Sequence, residues 1–256
     1  MEHDPDPPWL VPDLICRGSI VVLAGEAGAG KSFLSYALAL ALASGRTFLG
    51  EQCQTTRVLY FDDENSKPES EQYLRMLWRG MGEPDIRVLK ENLRVEQFTL
   101  TRAGNSWRQV AERIAEKFRP EFIVIDTAVS SCHIVNENDN SEAIRTLASL
   151  RSVKDIAGPQ ATLWILKHAR LDTEAGKWTV RGAKAWVSAT DATLMHSRYK
   201  GQARTDGLFN TQLSPVKRRV YSLSQELIIR PKVTEGFKGQ NIQLVAVPKR
   251  DSGGDP

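Results

Sequence analysis

Gly25-Glu26-Ala27-Gly28-Ala29-Gly30-Lys31-Ser32 is the stretch that decides the fold of this 256-residue chain. It is a complete GxxxxGK[ST] loop, preceded by the apolar run Ile20-Val21-Val22-Leu23-Ala24 and followed by a helix-prone run from Phe33 to Ala43. Strand, glycine turn and helix in that order make a phosphate cradle. The glycines let backbone N–H groups curl around oxygens, and the helix N-terminus adds partial positive charge. Residues Gly25 to Phe33 are therefore expected to hold a nucleoside triphosphate, ATP. Lys31 is expected to reach its β- and γ-phosphates and the Ser32 hydroxyl to ligate Mg²⁺.

Composition sets the frame around that loop. Hydrophobic content of 41% with 25% charged residues is that of an ordinary globular protein, and a net charge of +3 is too small to announce a nucleic-acid binder. The charge is uneven. Glu2, Asp4, Asp6 and Asp13 mark the N-terminal part, while Lys217, Arg218, Arg219, Arg230, Lys232 and Lys238 crowd the C-terminal part. Cys16, Cys53 and Cys132 form no CxxC pair, which argues against zinc or a disulfide framework and fits a reducing cytoplasm. Residues 1–12 are acidic and proline-rich rather than basic then apolar, so no export signal is expected. The longest apolar stretch, Ala37 to Ala43, is too short to span a bilayer.

Outward from the loop, the pattern predicts alternating strands and helices. Arg57–Phe61 reads as a strand closing on Asp62-Asp63-Glu64-Asn65. Ser66 and Glu69 form a capping box for the next helix, with Pro68 tolerated in its first turn and a stop near Gly80-Met81-Gly82. Leu93–Phe98 reads as a short strand, and Trp107, Val110, Ala111, Ile114 and Phe118 as one face of a helix. Phe122–Asp126 is a buried strand ending in an acid, Ile144 to Val153 a helical stripe, and Thr162–Lys167 a further strand. Residues 168–182 read as a long loop, followed by strands at Ala189–Ser197, Phe209–Pro215, Glu226–Lys232 and Ile242–Val247. The expected architecture is α/β, a mostly parallel central sheet flanked by helices with antiparallel strands at its C-terminal edge. Residues 13–248 are expected to form one domain, between a flexible lead-in (1–12) and a flexible tail (249–256).

Hydrolysis requires more than the loop. Asp126, after four apolar residues, matches the Walker B pattern, in which the acid holds the Mg²⁺ shell. Thr127 follows it, so the Asp-Glu pair of many P-loop ATPases is missing. Glu64, at the end of a strand expected beside the loop's own strand, is the best candidate to orient the attacking water, with Asp62 and Asp63 as competitors.

The phosphate loop, the strand ending in Glu64 and Asp126 without an acidic successor together resemble the RecA-type ATPase core. Within it, the chain is similar to the RepA-like and DnaB-like hexameric helicases. The likeness is carried by Trp9-Leu10-Val11-Pro12, by Leu59-Tyr60-Phe61-Asp62-Asp63-Glu64-Asn65 and by Asn136-Glu137-Asn138-Asp139-Asn140. The resemblance implies Glu64 as the water-activating glutamate and Asp126 as the Walker B acid. It places a γ-phosphate sensor at His168, although Lys167-His168-Ala169-Arg170 has one histidine where RepA-like proteins pair two. It also implies that Lys217 and Arg219 reach a neighbouring subunit's γ-phosphate, in a homo-oligomer expected to be a hexameric ring. Loops at about 130–141 and 168–184 are expected to line the pore for single-stranded DNA. In the second, Arg170, Lys177, Arg181 and Lys184 offer cations and Trp178 a stacking ring, whereas Glu137 and Asp139 in the first oppose a nucleic acid. Two functions follow from the resemblance: an ATP-driven helicase, or an ATP-dependent regulator or loader that works with replication or recombination proteins and does not unwind.

Overall fold

The computed structural model describes residues 8–97, 106–172, 177–200, 208–219, 222–236 and 239–247. In chain order, β1 (Trp9–Val11) and β2 (Ile15–Cys16) precede β3 (Ile20–Gly25), whose glycine loop opens α1 (Lys31–Ser44). The short strands β4 (Thr47–Phe48) and β5 (Glu51–Gln52) lead to β6 (Val58–Asp62), α2 (Lys67–Gly80), α3 (Ile86–Asn92) and β7 (Leu93–Glu96). Then come α4 (Trp107–Phe118), β8 (Phe122–Asp126), α5 (Ala128–Cys132), α6 (Asn140–Ala157) and β9 (Thr162–Asp172). The chain continues through β10 (Lys177–Val180), α7 (Ala185–Ser188), β11 (Ala192–Arg198), β12 (Thr211–Arg218), β13 (Leu227–Gly236) and β14 (Gly239–Val247).

The large sheet has the order β14-β13-β12-β11-β3-β9-β8-β6-β7, with β10 added antiparallel to the outer part of β9. Neighbours from β7 across to β11 are parallel, and β12, β13 and β14 are antiparallel. Strands β3, β6 and β8 are buried at every position, as near-continuous apolar runs in a sheet covered on both faces must be. On β3, Val21 and Leu23 join one core with α1, while Ile20, Val22 and Ala24 join the other beneath α4 and α6.

Helix α1 is unusual in having no polar face: every residue from Leu34 to Ala43 is buried. It ends where expected, at Gly45, whose φ of 63° is the left-handed conformation that glycine favours. Leu244 and Ala246 of β14 pack into the same core, so the C-terminal hairpin closes over this helix. There β14 meets α2 so tightly that a Cβ added at Gly80 would lie 2.0 Å from the Ile242 carbonyl oxygen.

The capping box of α2 forms between Ser66 and Glu69 with Pro68 in the first turn, and Ser106 and Gln109 form another on α4. Other expectations are corrected. Trp9–Val11 is a strand with Leu10 and Val11 fully buried, so this part of the lead-in belongs to the folded body. Residues 1–7 and the tail 249–256 lie outside the described residues, as does Phe98 of the expected Leu93–Phe98 strand. The expected loop 168–182 is largely the β9–β10 hairpin, in which Ala169 faces Val180 and Leu171 faces Trp178 across the ladder. The expected strand from Ala189 begins at Ala192, because Ala185–Ser188 turns once as α7. No described helix is long and apolar enough to cross a membrane.

Candidate nucleotide site

The carboxyl ends of the parallel strands converge on one edge. Gly25 pairs with His168 across β3 and β9, and Asp62 with Asp126 across β6 and β8. Residues far apart in sequence thus share the crevice where α/β sheets bind ligands. Gly28 and Gly30 have φ of 72° and 87°, and Gly30 caps α1 with no side-chain acceptor, leaving the first-turn N–H groups to a ligand. Gly25 is held against β11: a Cβ there would sit 2.3 Å from the His196 carbonyl oxygen.

Lys31 is almost buried. Its Nζ donates to the carbonyls of Gly25 (3.2 Å) and Glu26 (3.0 Å). Burial lowers its pKa, and the charges of Glu64, Asp126 and Glu26 pull the other way. An ammonium so placed faces three acids and the phosphate cradle together.

Asp126 is fully buried at the end of β8. Its Oδ2 accepts the Tyr60 hydroxyl at 2.7 Å, while its buried Oδ1 has no hydrogen-bond partner. Burial pushes this carboxyl up to about 7, opposed by the Tyr60 and Ser32 hydroxyls and reinforced by the charges of Asp62 and Glu64. A buried oxygen without a donor, beside the Ser32 hydroxyl, is a fitting pair of hard ligands for Mg²⁺. Among the described residues no group of three or more His, Cys, Asp or Glu could hold a metal ion. Phosphate and water oxygens would complete the shell.

The neighbouring acid is differently placed. Asp62, also fully buried, accepts from Tyr36 Oη (2.6 Å), Ser70 Oγ (2.5 Å), Asn65 Nδ2 (3.0 Å) and the N–H groups of Asn65 (3.0 Å) and Glu64 (3.3 Å). Its lone pairs are spent on fixing the turn. Glu64, two residues on, is exposed, with its Oε1 3.7 Å from His168 Nε2. Burial and Lys31 lower the His168 pKa against the pull of Glu64 and Glu137, and the approach is too long for a hydrogen bond.

The candidate pore residues are distributed less simply. Arg170, Arg181 and Lys184 are exposed, and Lys177 pairs with Asp172 in the hairpin ladder. Trp178, expected as a stacking platform, instead packs half-buried against the core under α4 and α6. Glu137, expected to repel a nucleic acid, is paired: it takes the fully buried Lys167 ammonium at 3.2 Å and lies 3.8 Å from Arg181. Lys167 also lies 4.7 Å from the centre of the Trp186 ring.

Lys217, expected to reach a neighbouring subunit, is engaged within its own chain. Its Nζ donates to the carbonyls of Val187 (2.5 Å), Ser188 (2.9 Å) and Thr190 (2.5 Å), a cation at the end of α7 within its own chain. Arg219 is exposed beyond the end of β12, and its N–H donates to the Asp191 carbonyl.

Sequence reasoning missed three residues here. Tyr36 and Tyr60 lie inside the expected helix and strand with no role assigned to them, though Tyr36 lies one helical turn beyond Ser32 on the same face, a usable signal. Arg198 ends β11; its N–H donates to Glu26 Oε1 at 3.0 Å, and its guanidinium stands 3.6 Å from where a Gly28 Cβ would be and 4.4 Å from the Phe209 ring centre. The rule that ligands meet strand ends would have singled it out once β11 was seated beside β3.

A family model described as AAA domain (AAA_25) matches residues 1–174 of the chain. No curated protein matches it. Among solved structures it is similar to the KaiC-like protein PH0186 of the hyperthermophilic archaeon Pyrococcus horikoshii OT3. That likeness covers 95% of this chain and 96% of the other, with a TM-score of 0.57 and 15% identity. At such identity it concerns the fold.

Proposed function

The chain belongs to the AAA_25 family of AAA domains and carries a RecA-type P-loop ATPase core; from this premise we propose that it hydrolyses ATP as a ring-forming motor on single-stranded DNA, in the manner of a RepA-like helicase. The observation that carries the reading is the gathering of Lys31, Ser32, Asp126, Glu64 and His168 at one sheet edge, from which the hairpin bearing Arg170 and Arg181 directly continues.

In this reading the loop N–H groups and Lys31 bind the β- and γ-phosphates. Ser32 and Asp126 would hold Mg²⁺, which would supply charge neutralisation at the phosphates. Glu64 orients a water and accepts its proton as the water oxygen bonds to the γ-phosphorus and the bond to the leaving ADP oxygen breaks. His168 reports the γ-phosphate to the β9–β10 hairpin. Arg219 is the remaining candidate to act across a subunit boundary, Lys217 being engaged in its own chain. The three free cysteines support a cytoplasmic setting.

One observation favours the second reading, a non-unwinding regulator or loader: Trp178 is packed on the body and Arg181 faces Glu137, which leaves fewer groups for DNA. ATP turnover measured with and without single-stranded DNA, beside a strand-displacement assay, separates the two. Stimulation with unwinding supports the motor. Stimulation without unwinding supports the regulator, and no turnover under any condition sinks both.

A further inference from the structure

Two phenols lie between the phosphate-loop helix and the acidic strand ends. The Tyr36 and Tyr60 rings stack 4.2 Å apart at an interplanar angle of 4°, and both side chains are fully buried. Each hydroxyl serves a different acid, Tyr36 donating to Asp62 Oδ2 at 2.6 Å and Tyr60 to Asp126 Oδ2 at 2.7 Å. Ser32 and Tyr36 share a face of α1 one turn apart. The helix therefore approaches β8 with the Ser32 hydroxyl and braces the Tyr60 ring with Tyr36. The stack fixes which carboxyl each phenol can reach, and Asp62, with four further donors around it, has no need of Tyr60.

We propose that Tyr60 is a positioning residue for the divalent cation: it occupies Oδ2 of Asp126 and so presents Oδ1, the buried oxygen without a donor, to the ion beside Ser32. The inference rests on the reading of Asp126 as the metal-side acid. A carboxylate free to turn in a dry pocket would lose orientation and charge together. A single hydrogen bond to a charged group in such surroundings corresponds to a factor of about ten or more in affinity.

The test uses the full chain, Mn²⁺ as the probe and electron paramagnetic resonance as the readout, in the presence of a non-hydrolysable ATP analogue. Tyr60→Phe keeps the ring and its stack and removes one oxygen. It should weaken Mn²⁺ binding about tenfold while leaving analogue affinity in excess chelator within about twofold. Tyr36→Phe removes the equivalent oxygen from Asp62; it should lower thermal stability comparably and leave Mn²⁺ affinity unchanged. Wild-type Mn²⁺ affinity in Tyr60→Phe, or an equal loss in Tyr36→Phe, overturns the positioning role. Asp126→Asn decides the underlying reading. If it alone weakens Mn²⁺ binding, only the role of the phenol fails; if it too binds Mn²⁺ like the wild type, the metal assignment falls with it.

Discussion

Lys31 and Glu64 meet at the same crevice with opposite charge, and the proposed reaction gives them separable duties. Lys31→Ala removes the cation that would face the phosphates, so ATP binding should weaken and turnover should vanish; a filter-binding and phosphate-release pair checks both. Glu64→Gln preserves shape and hydrogen-bonding capacity but not basicity. It should bind ATP as the wild type does and lose turnover by a factor of about 10² to 10⁴. Unchanged turnover in Glu64→Gln would end the assignment of that glutamate. Asp62 is no ready substitute, because its oxygens already accept from Tyr36, Ser70, Asn65 and the Glu64 N–H.

At the scale of elements, the contact between α2 and β14 has no room for a methyl group. Gly80→Ala should therefore push the C-terminal hairpin from the helix at a cost of about 1–3 kcal/mol. For a domain of this size that is a fall in Tm of about 5 °C, measurable by calorimetry. The elements differ in how much of them the sequence announces. The phosphate loop is written in eight consecutive residues and Asp126 directly follows an apolar run, so local pattern suffices for them. Glu64 stands two acids beyond its run, and its strand β6, expected beside β3, is separated from it by β9 and β8. The β9–β10 hairpin is not announced, because its apolar positions Ala169, Leu171, Trp178 and Val180 are sparse among polar ones and only pairing makes them a face. The fate of Lys217 is hidden for another reason. Its acceptors lie 27 to 30 residues away, on a turn of helix that no periodicity marks.

The whole molecule adds two expectations. If sites are completed across subunits, Arg219→Ala and Lys31→Ala proteins, each inactive alone, should regain part of the ATPase rate when mixed, since some mixed boundaries pair an intact loop with an intact arginine. Activity that stays at zero at every mixing ratio would exclude the trans role of Arg219. The second expectation concerns acid. His196 is buried beneath the loop, its Nε2 2.8 Å from Thr211 Oγ1, and burial aided by Lys31 pushes its pKa down to about 3. The unfolded chain binds a proton on this ring below about pH 6.5 and the folded chain refuses it until about pH 3, so stability is full above pH 6.5 and falls as pH drops through that window. Between pH 7 and pH 5 the wild type should lose about 2 kcal/mol more than His196→Gln in urea unfolding. Helix α1, enclosed on all sides from Leu34 to Ala43, carries a last consequence. Its amide protons have no fraying edge through which to reach solvent, so in deuterium oxide they should exchange only when the entire chain opens. The proposed grip on the nucleotide would thus be rooted in the slowest-exchanging part of the molecule, and added nucleotide should slow that exchange by a factor that rises with its concentration relative to Kd.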